Sequence, residues 1–242
     1  MLMPQKKLLR FAQLKNFAHV LEKPSGTAGN WHSFFKNNNP IILELACGRG
    51  EYTIGLAKLY PNKNFIGVDL KGNRLYIGAK YAADHQMANV AFLRCQIDQL
   101  DNYFAAEEVA ECWITFPDPH LRTSKAKKRL THPSFLRIYQ KILVPDGLLH
   151  LKTDSPALYN FTKRVLQLVQ AAVETDNFNV NAASDGEELA ITTHYQNLDI
   201  AGKQTIFYLK FTLPQVFADT ALDTLLQSEL KVTEQLATAW KS

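Results

Sequence analysis

The sequence predicts an α/β fold whose sheet is mostly parallel and closes with an antiparallel strand. Three observations carry this. Apolar runs at 41–45, 64–70, 89–95, 111–116 and 148–153 alternate with segments of helical periodicity; a glycine-bearing bend directly follows the first run; and two extended runs, 189–195 and 205–211, stand near the end of the chain with no helix between them. Strands separated by helices call for parallel pairing with both sheet faces covered. Right-handed crossovers then leave few topologies.

In chain order, residues 1–38 form an N-terminal segment rich in basic, aromatic and turn-forming residues, which runs into the loop signal "KNNNP". "IILEL" (41–45) reads as a buried strand, and "YTIGLAKLY" has helical spacing until Pro61 stops it. Helices are expected over 73–85, 134–143 and from about Pro156 to Gln170, each between two of the strands. "LAITTHY" and "TIFYLKF" are expected to pair antiparallel and close the sheet. One domain is expected over 39–213, with 214–242 as a helical tail packed on it; Leu222, Leu225, Leu226, Leu230, Val232 and Leu236 supply its apolar face.

The 242 residues, 46% apolar, are enough for a full core. The net charge of +4 is small, but the positive residues cluster at Lys6, Lys7, Arg10 and Lys15, and again from Arg122 to Arg129. Cys47, Cys95 and Cys112 are odd in number and lack C-x-x-C spacing, so reduced core thiols are expected. No leader-like apolar stretch opens the chain and no run of about 18 apolar residues occurs, so a cytoplasmic protein without a membrane partner is expected. No metal-ligand pattern is present either.

"LELACGRGEY" is a strand running through a tight bend into a helix. Gly48 and Gly50 let backbone approach a ligand at the carboxyl end of the strand. Glu44 precedes the bend, and Asp69 ends the second strand, where an acid can bond ribose hydroxyls. A dinucleotide fold would bring the helix N-terminus onto a pyrophosphate, which Glu51 would repel. S-adenosylmethionine has no phosphate, a sulfonium charge and an ammonium group, and the acids favour it. At "FPDP", Pro117 and Pro119 restrict the backbone on both sides of Asp118, so its carboxylate can be held above that cofactor. The basic run that follows suggests a polyanionic substrate.

In order, "LELACGRGEY", "FIGVDLKGNRL", "FPDPHLRTSKAKKRL", "LLHLKTD" and "TTHYQNLDIAGKQTIFYLKF" resemble the bacterial tRNA (guanine-N7)-methyltransferase family over most of 41–211. The resemblance implies a Rossmann-like class I S-adenosylmethionine-dependent methyltransferase sheet, tRNA as partner, and methylation of guanosine N7 in the variable loop, by a monomer or homodimer. It implies that Glu44 and Asp69, with Gly48 and Gly50, hold the cofactor, that Gln96 and Ile97 edge its adenine, and that Asp118 is the catalytic acid meeting cofactor and guanine. Arg122, Asp154 and Thr193, His194, Tyr195 and Gln196 fall at substrate positions. Lys125, Lys127, Lys128 and Arg129 fall where RNA phosphates are contacted.

The chain departs from the family pattern at Ala46 (usually glycine), Gln96 (often aspartate), His120 (tryptophan), Arg122 (lysine), Lys125 (histidine) and Gln196 (glutamate). Two other functions fit the residues less well: a catalytically silent tRNA-binding protein, and a methyltransferase for another RNA or a small acidic metabolite. Guanine N7 offers a free lone pair, so the chemistry needs alignment and charge stabilisation more than proton removal.

Overall fold

The computed structural model describes residues 3–196, 205–217 and 220–239. Along the chain these form α1 (Met3–Leu14), β1 (Val20–Glu22), α2 (Trp31–Phe35), β2 (Ile41–Leu45), α3 (Glu51–Leu59), β3 (Asn64–Val68), α4 (Gly72–Asp84), β4 (Val90–Arg94), β5 (Val109–Thr115), α5 (Pro133–Ile142), β6 (Leu143–Thr153), α6 (Pro156–Leu168), β7 (Ala172–Asn177), α7 (Glu187–Ala190), β8 (Phe207–Thr212) and α8 (Ala221–Ala239). Short 3₁₀ segments occupy Ile97–Asn102 and Thr123–Lys128.

The strands make one sheet in the order β1-β4-β3-β2-β5-β6-β8-β7. Pairings from β1 through β6 are parallel; β8 runs antiparallel to both neighbours. β2 and β3 are buried at every position, as strands covered on both faces must be. Local chemistry starts two of the covering helices. Pro133 and Pro156 take first-turn positions, where a missing N–H costs nothing, while the His132 ring and the Ser155 hydroxyl accept from the Ser134 and Leu158 backbone amides. One core cluster joins the sheet to α5 and α6, and the other joins it to α3 and α4.

The structure differs from the sequence reading in two places. The outer partner of β8 is β7, not residues 189–195, which form the single turn α7 and then irregular backbone. β7 reads "AVETDN", too charged to show strand alternation, because as an exposed edge strand it has almost no buried face. Residues 1–38 also contain regular structure. β1 adds a parallel edge to β4, and Trp31 is fully buried, stacked 5.2 Å from Phe104 with its indole N–H donating to the Tyr103 carbonyl. β1 and α2, of three and five residues, are too short to carry periodicity, whereas the 12-residue α1 goes unread behind its basic residues. Residues 197–204 of the "TTHYQNLDIAGKQTIFYLKF" motif, residues 218–219 and 240–242 of the tail, and the side chains of Lys6 and Leu236 lie outside the described residues. Among the described residues, no helix is long and apolar enough to cross a membrane, and no group of His, Cys, Asp and Glu could hold a metal ion.

Candidate active site

The carboxyl ends of β2, β3, β5 and β6 meet at one edge of the sheet, where α/β folds place their ligands. Glu44, fourth residue of β2, is 3% exposed and lies beside Gly67 of β3 and Trp113 of β5. Its carboxylate accepts from the Thr53 backbone N–H at 2.7 Å, from the Thr53 hydroxyl, and from the Thr115 hydroxyl at 3.0 Å. Thr53 is in the first turn of α3, so the acid satisfies a free helix N–H and faces the positive end of the helix dipole. Burial still pushes Glu44 up to about 7, against the lowering effect of those hydrogen bonds.

The bend after β2 is left-handed at Ala46, Gly48 and Gly50, with φ of 58°, 58° and 74°. A Cβ on Gly50 would lie 2.5 Å from the Phe92 ring, so space as well as conformation demands glycine there. Ala46 adopts the same backbone without glycine's freedom, at a cost of about 1–2 kcal/mol. Asp69, just past β3, braces the bend: one carboxylate oxygen accepts from Gly48 N–H at 2.9 Å, the other from Lys71 N–H at 2.8 Å.

Two cavities flank Ala46. The first, about 360 Å³, has Glu44, Gly48, Glu51 and Phe116 in its walls, with Thr193, His194 and Tyr195 on the other side. The second, about 430 Å³, is bounded by Asp69, Gln96 and Ile97 and by the apolar Leu130 and Phe135, with Lys127 and Lys128 beside them. Of the predicted cofactor residues, Glu44 and Gly48 line the first cavity and Asp69, Gln96 and Ile97 the second, whereas Gly50 lines neither and packs against Phe92. A third cavity of about 440 Å³ lies between Glu111, Trp113, His150 and Lys210, and holds none of the predicted site residues. Its two lysines are already paired, Lys63 with Glu111 at 2.6 Å and Lys210 with Glu174 at 2.8 Å.

Asp118 lines neither of the first two cavities. Its side chain is 73% exposed, and its Oδ1 accepts from the His120 backbone N–H at 3.0 Å. Phe116 and His120 have φ of 46° and 43°, strained values for residues with side chains. Arg129 holds this turn from behind. Its guanidinium donates to the carbonyls of Pro119 (3.1 Å), His120 (3.1 Å) and Leu121 (3.4 Å) and stacks 4.3 Å over the Phe161 ring. Arg129 is only 4% exposed, which corrects its assignment to the RNA phosphates. Lys125, Lys127 and Lys128, expected at the phosphates, and Arg122, expected at the substrate, are exposed.

On the far side of the first cavity, Thr193 N–H donates to the Gln196 side-chain oxygen at 2.9 Å, and Gln196 N–H donates to the Thr193 hydroxyl at 3.3 Å. This is a reciprocal capping box, which glutamine completes as well as glutamate does. Tyr195 packs 5.9 Å from the Phe116 ring, and its phenol is raised by burial first and then by the charge and hydrogen bond of Asp154. The structure therefore gathers the ends of "FPDP", "KTD" and "TTHY". Sequence reasoning missed Thr53 and Thr115, which orient Glu44, as well as Arg49 and Arg74 in the first cavity. It also missed Lys152, whose signal was visible as a charge inside the apolar run "LLHLKT".

A family model described as "Putative methyltransferase" matches residues 38–209. The chain is 43% identical over 225 residues to a tRNA (guanine-N(7)-)-methyltransferase of Bacteroides thetaiotaomicron, covering 88% of each chain. It is 46% identical over 213 residues to one of Porphyromonas gingivalis, covering 83% of this chain and 86% of that protein. Among solved structures, the 16S rRNA methyltransferase KamB superposes with a TM-score of 0.59 at 13% identity, over 77% of this chain and 94% of the other, which shows a shared methyltransferase fold. With its cavities, motif order and these matches in agreement, the chain belongs to the tRNA (guanine-N(7)-)-methyltransferase family.

Proposed function

We propose that this chain transfers a methyl group from S-adenosylmethionine to N7 of a guanosine in tRNA, and that this guanosine lies in the variable loop. The observation that carries the proposal is the pair of cavities meeting at Ala46, with acids on the cofactor side and exposed cations at the rim. The donor set fits the cofactor. Glu44 can receive the methionine ammonium, Asp69 can accept from ribose hydroxyls, Gly48 leaves room for it, and the slot by Gln96, Ile97 and Phe135 suits a flat adenine. The bound cofactor supplies an electrophilic methyl on a sulfonium.

The remaining work falls to protein side chains. N7 attacks with its own lone pair, so no residue has to remove a proton first. Asp118, at the rim, accepts from the guanine N1–H and N2–H₂ groups, which grow more acidic as N7 becomes cationic, and so orients the base and stabilises its charge. Arg122, Asp154 and Thr193 to Gln196 border the guanosine. Lys125, Lys127 and Lys128 contact phosphates. N7 lies on the edge that side chains reach poorly in A-form RNA, which favours a loop target.

Purified protein incubated with labelled S-adenosylmethionine and unmodified tRNA, followed by positional mapping of 7-methylguanosine, tests both parts. Label at guanine N7 in the variable loop is expected. Label elsewhere in the tRNA removes the loop assignment, and no label on N7 removes the activity.

A further inference from the structure

Lys152, in the middle of "LLHLKTD", is 1% exposed, and among the described residues no carboxylate pairs with it. A buried unpaired amine is costly unless other groups replace its water. Here three oxygens do so. Lys152 Nζ donates to the Leu189 carbonyl at 2.8 Å, the Ile191 carbonyl at 3.2 Å and the Tyr52 hydroxyl at 3.0 Å, and Tyr52 in turn donates to the Glu188 carbonyl at 2.7 Å. Helix α7 has four residues, too few to satisfy its own final carbonyls, so the ammonium caps it from across the cleft.

The same residue also reaches the opposite wall. Its backbone carbonyl accepts from Phe116 N–H at 2.8 Å, and Phe116 opens "FPDP". A second contact seats the segment from the α3 side: a Cβ on Gly55 would lie 2.9 Å from Ile191, so the glycine is the socket for that side chain. The preceding chain, 178–186, is mostly exposed and supplies little anchorage.

We propose that Lys152 is a positioning residue whose ammonium fixes 187–195 against the end of β5, setting where Thr193, His194 and Tyr195 meet the target nucleoside. The link to the nucleoside rests on the proposed tRNA activity; the hold on the segment does not. Burial lowers the Lys152 pKa to about 8, consistent with an amine solvated only by neutral oxygens. One side chain thereby joins three sequence motifs.

The test uses the full-length protein and compares Lys152→Met, which keeps length and removes the donors, with Gly55→Ala, which displaces Ile191 from the other side. Amide exchange over 187–195 should rise by about tenfold or more in Lys152→Met, while the central strands keep their protection. KM for tRNA should rise by about tenfold in both variants, with Kd for S-adenosylmethionine within about twofold of the wild type. Adding Ile191→Ala to Gly55→Ala should return KM toward the wild-type value. Native exchange over 187–195 in Lys152→Met, or an equal weakening of cofactor and tRNA binding, would overturn the proposal. If Lys152→Met does not fold, Lys152→Gln, whose amide has too few donors for all three oxygens, takes its place, and native exchange over 187–195 in that variant would overturn the proposal. If the wild type does not methylate N7, the functional reading fails alone, because exchange still reports on the clamp.

Discussion

On the cofactor side of the cleft, Glu44 and Asp69 stand on strand ends and are held by groups close by, the first turn of α3 and the glycine bend. On the substrate side, Asp118 and Thr193 stand on irregular segments gripped from a distance. Arg129 holds the carbonyls of 119–121, and Lys152 holds those of 189 and 191. The first wall is built from regular backbone and the second from two buried cations. A wall built the second way can vary its loops while keeping its anchors. It is also the wall that a single substitution can most easily displace.

The largest break in this contrast is expected at Asp118. Asp118→Ala should lower kcat by about 10²–10³, the scale of removing a charge-stabilising group, while tRNA affinity stays within about twofold. Filter binding alongside single-turnover methylation checks it. Normal turnover would remove Asp118 from the mechanism.

Arg129 and its neighbours give the sharpest internal comparison, because one basic run divides between core and surface. Arg129→Met leaves the 119–121 carbonyls without their donor and should cost about 2–4 kcal/mol, a fall in Tm of roughly 5–15 °C. Lys127→Ala and Lys128→Ala should each change stability by less than about 0.5 kcal/mol. They should instead flatten the salt dependence of tRNA binding by ~0.7–0.9 for each phosphate that is no longer neutralised. Thermal melts and salt titrations of the three variants would refute the division if their effects were alike.

Glu44 makes the cofactor side sensitive to pH. With its pKa raised to about 7, the empty protein carries a proton there below neutrality, and an ammonium ligand must displace it. S-adenosylmethionine should bind more tightly as pH rises from 6 to 8, with proton release below 7; calorimetry in buffers of different ionisation heat should show that release disappear in Glu44→Gln. For stability the sign is opposite. A carboxyl raised on folding takes up a proton, so its contribution to stability falls as pH climbs from about 4.5 to about 7 and is level above. A modest effect concerns Ala46. Ala46→Gly should stabilise the fold by about 1 kcal/mol, visible as a modest rise in Tm, by relieving the left-handed alanine.

Most of the cofactor side was legible because its signals are local. A strand, a bend with φ near 58° to 74° and a helix are contiguous in "LELACGRGEY", and Asp69 ends the very next strand. The parallel sheet was legible for the same reason, since each crossover is a short repeat of strand and helix. The pairing of β8 was not. Residues 189–195 read as extended chain and 172–177 are too charged to do so, yet the ladder takes the second, whose exposed edge position needs no apolar face.

Arg129 and Lys127 look alike in "KAKKRL", yet one is buried under Phe161 and the other exposed. Their different fates arise from the turn of 3₁₀ helix over Thr123–Lys128 and from three carbonyls that face inward. Lys152 shows the same limit: a charge in an apolar strand is visible as an anomaly, but its partners lie 37 and 39 residues further along the chain and 100 residues before it. Residue type and spacing therefore established the strand-bend-helix unit, the acids at strand ends and the excess of cations after "FPDP". Which cation turns inward, and which segment it grips, depends on desolvation and on oxygens brought close only when the chain has packed, and no local pattern encodes either.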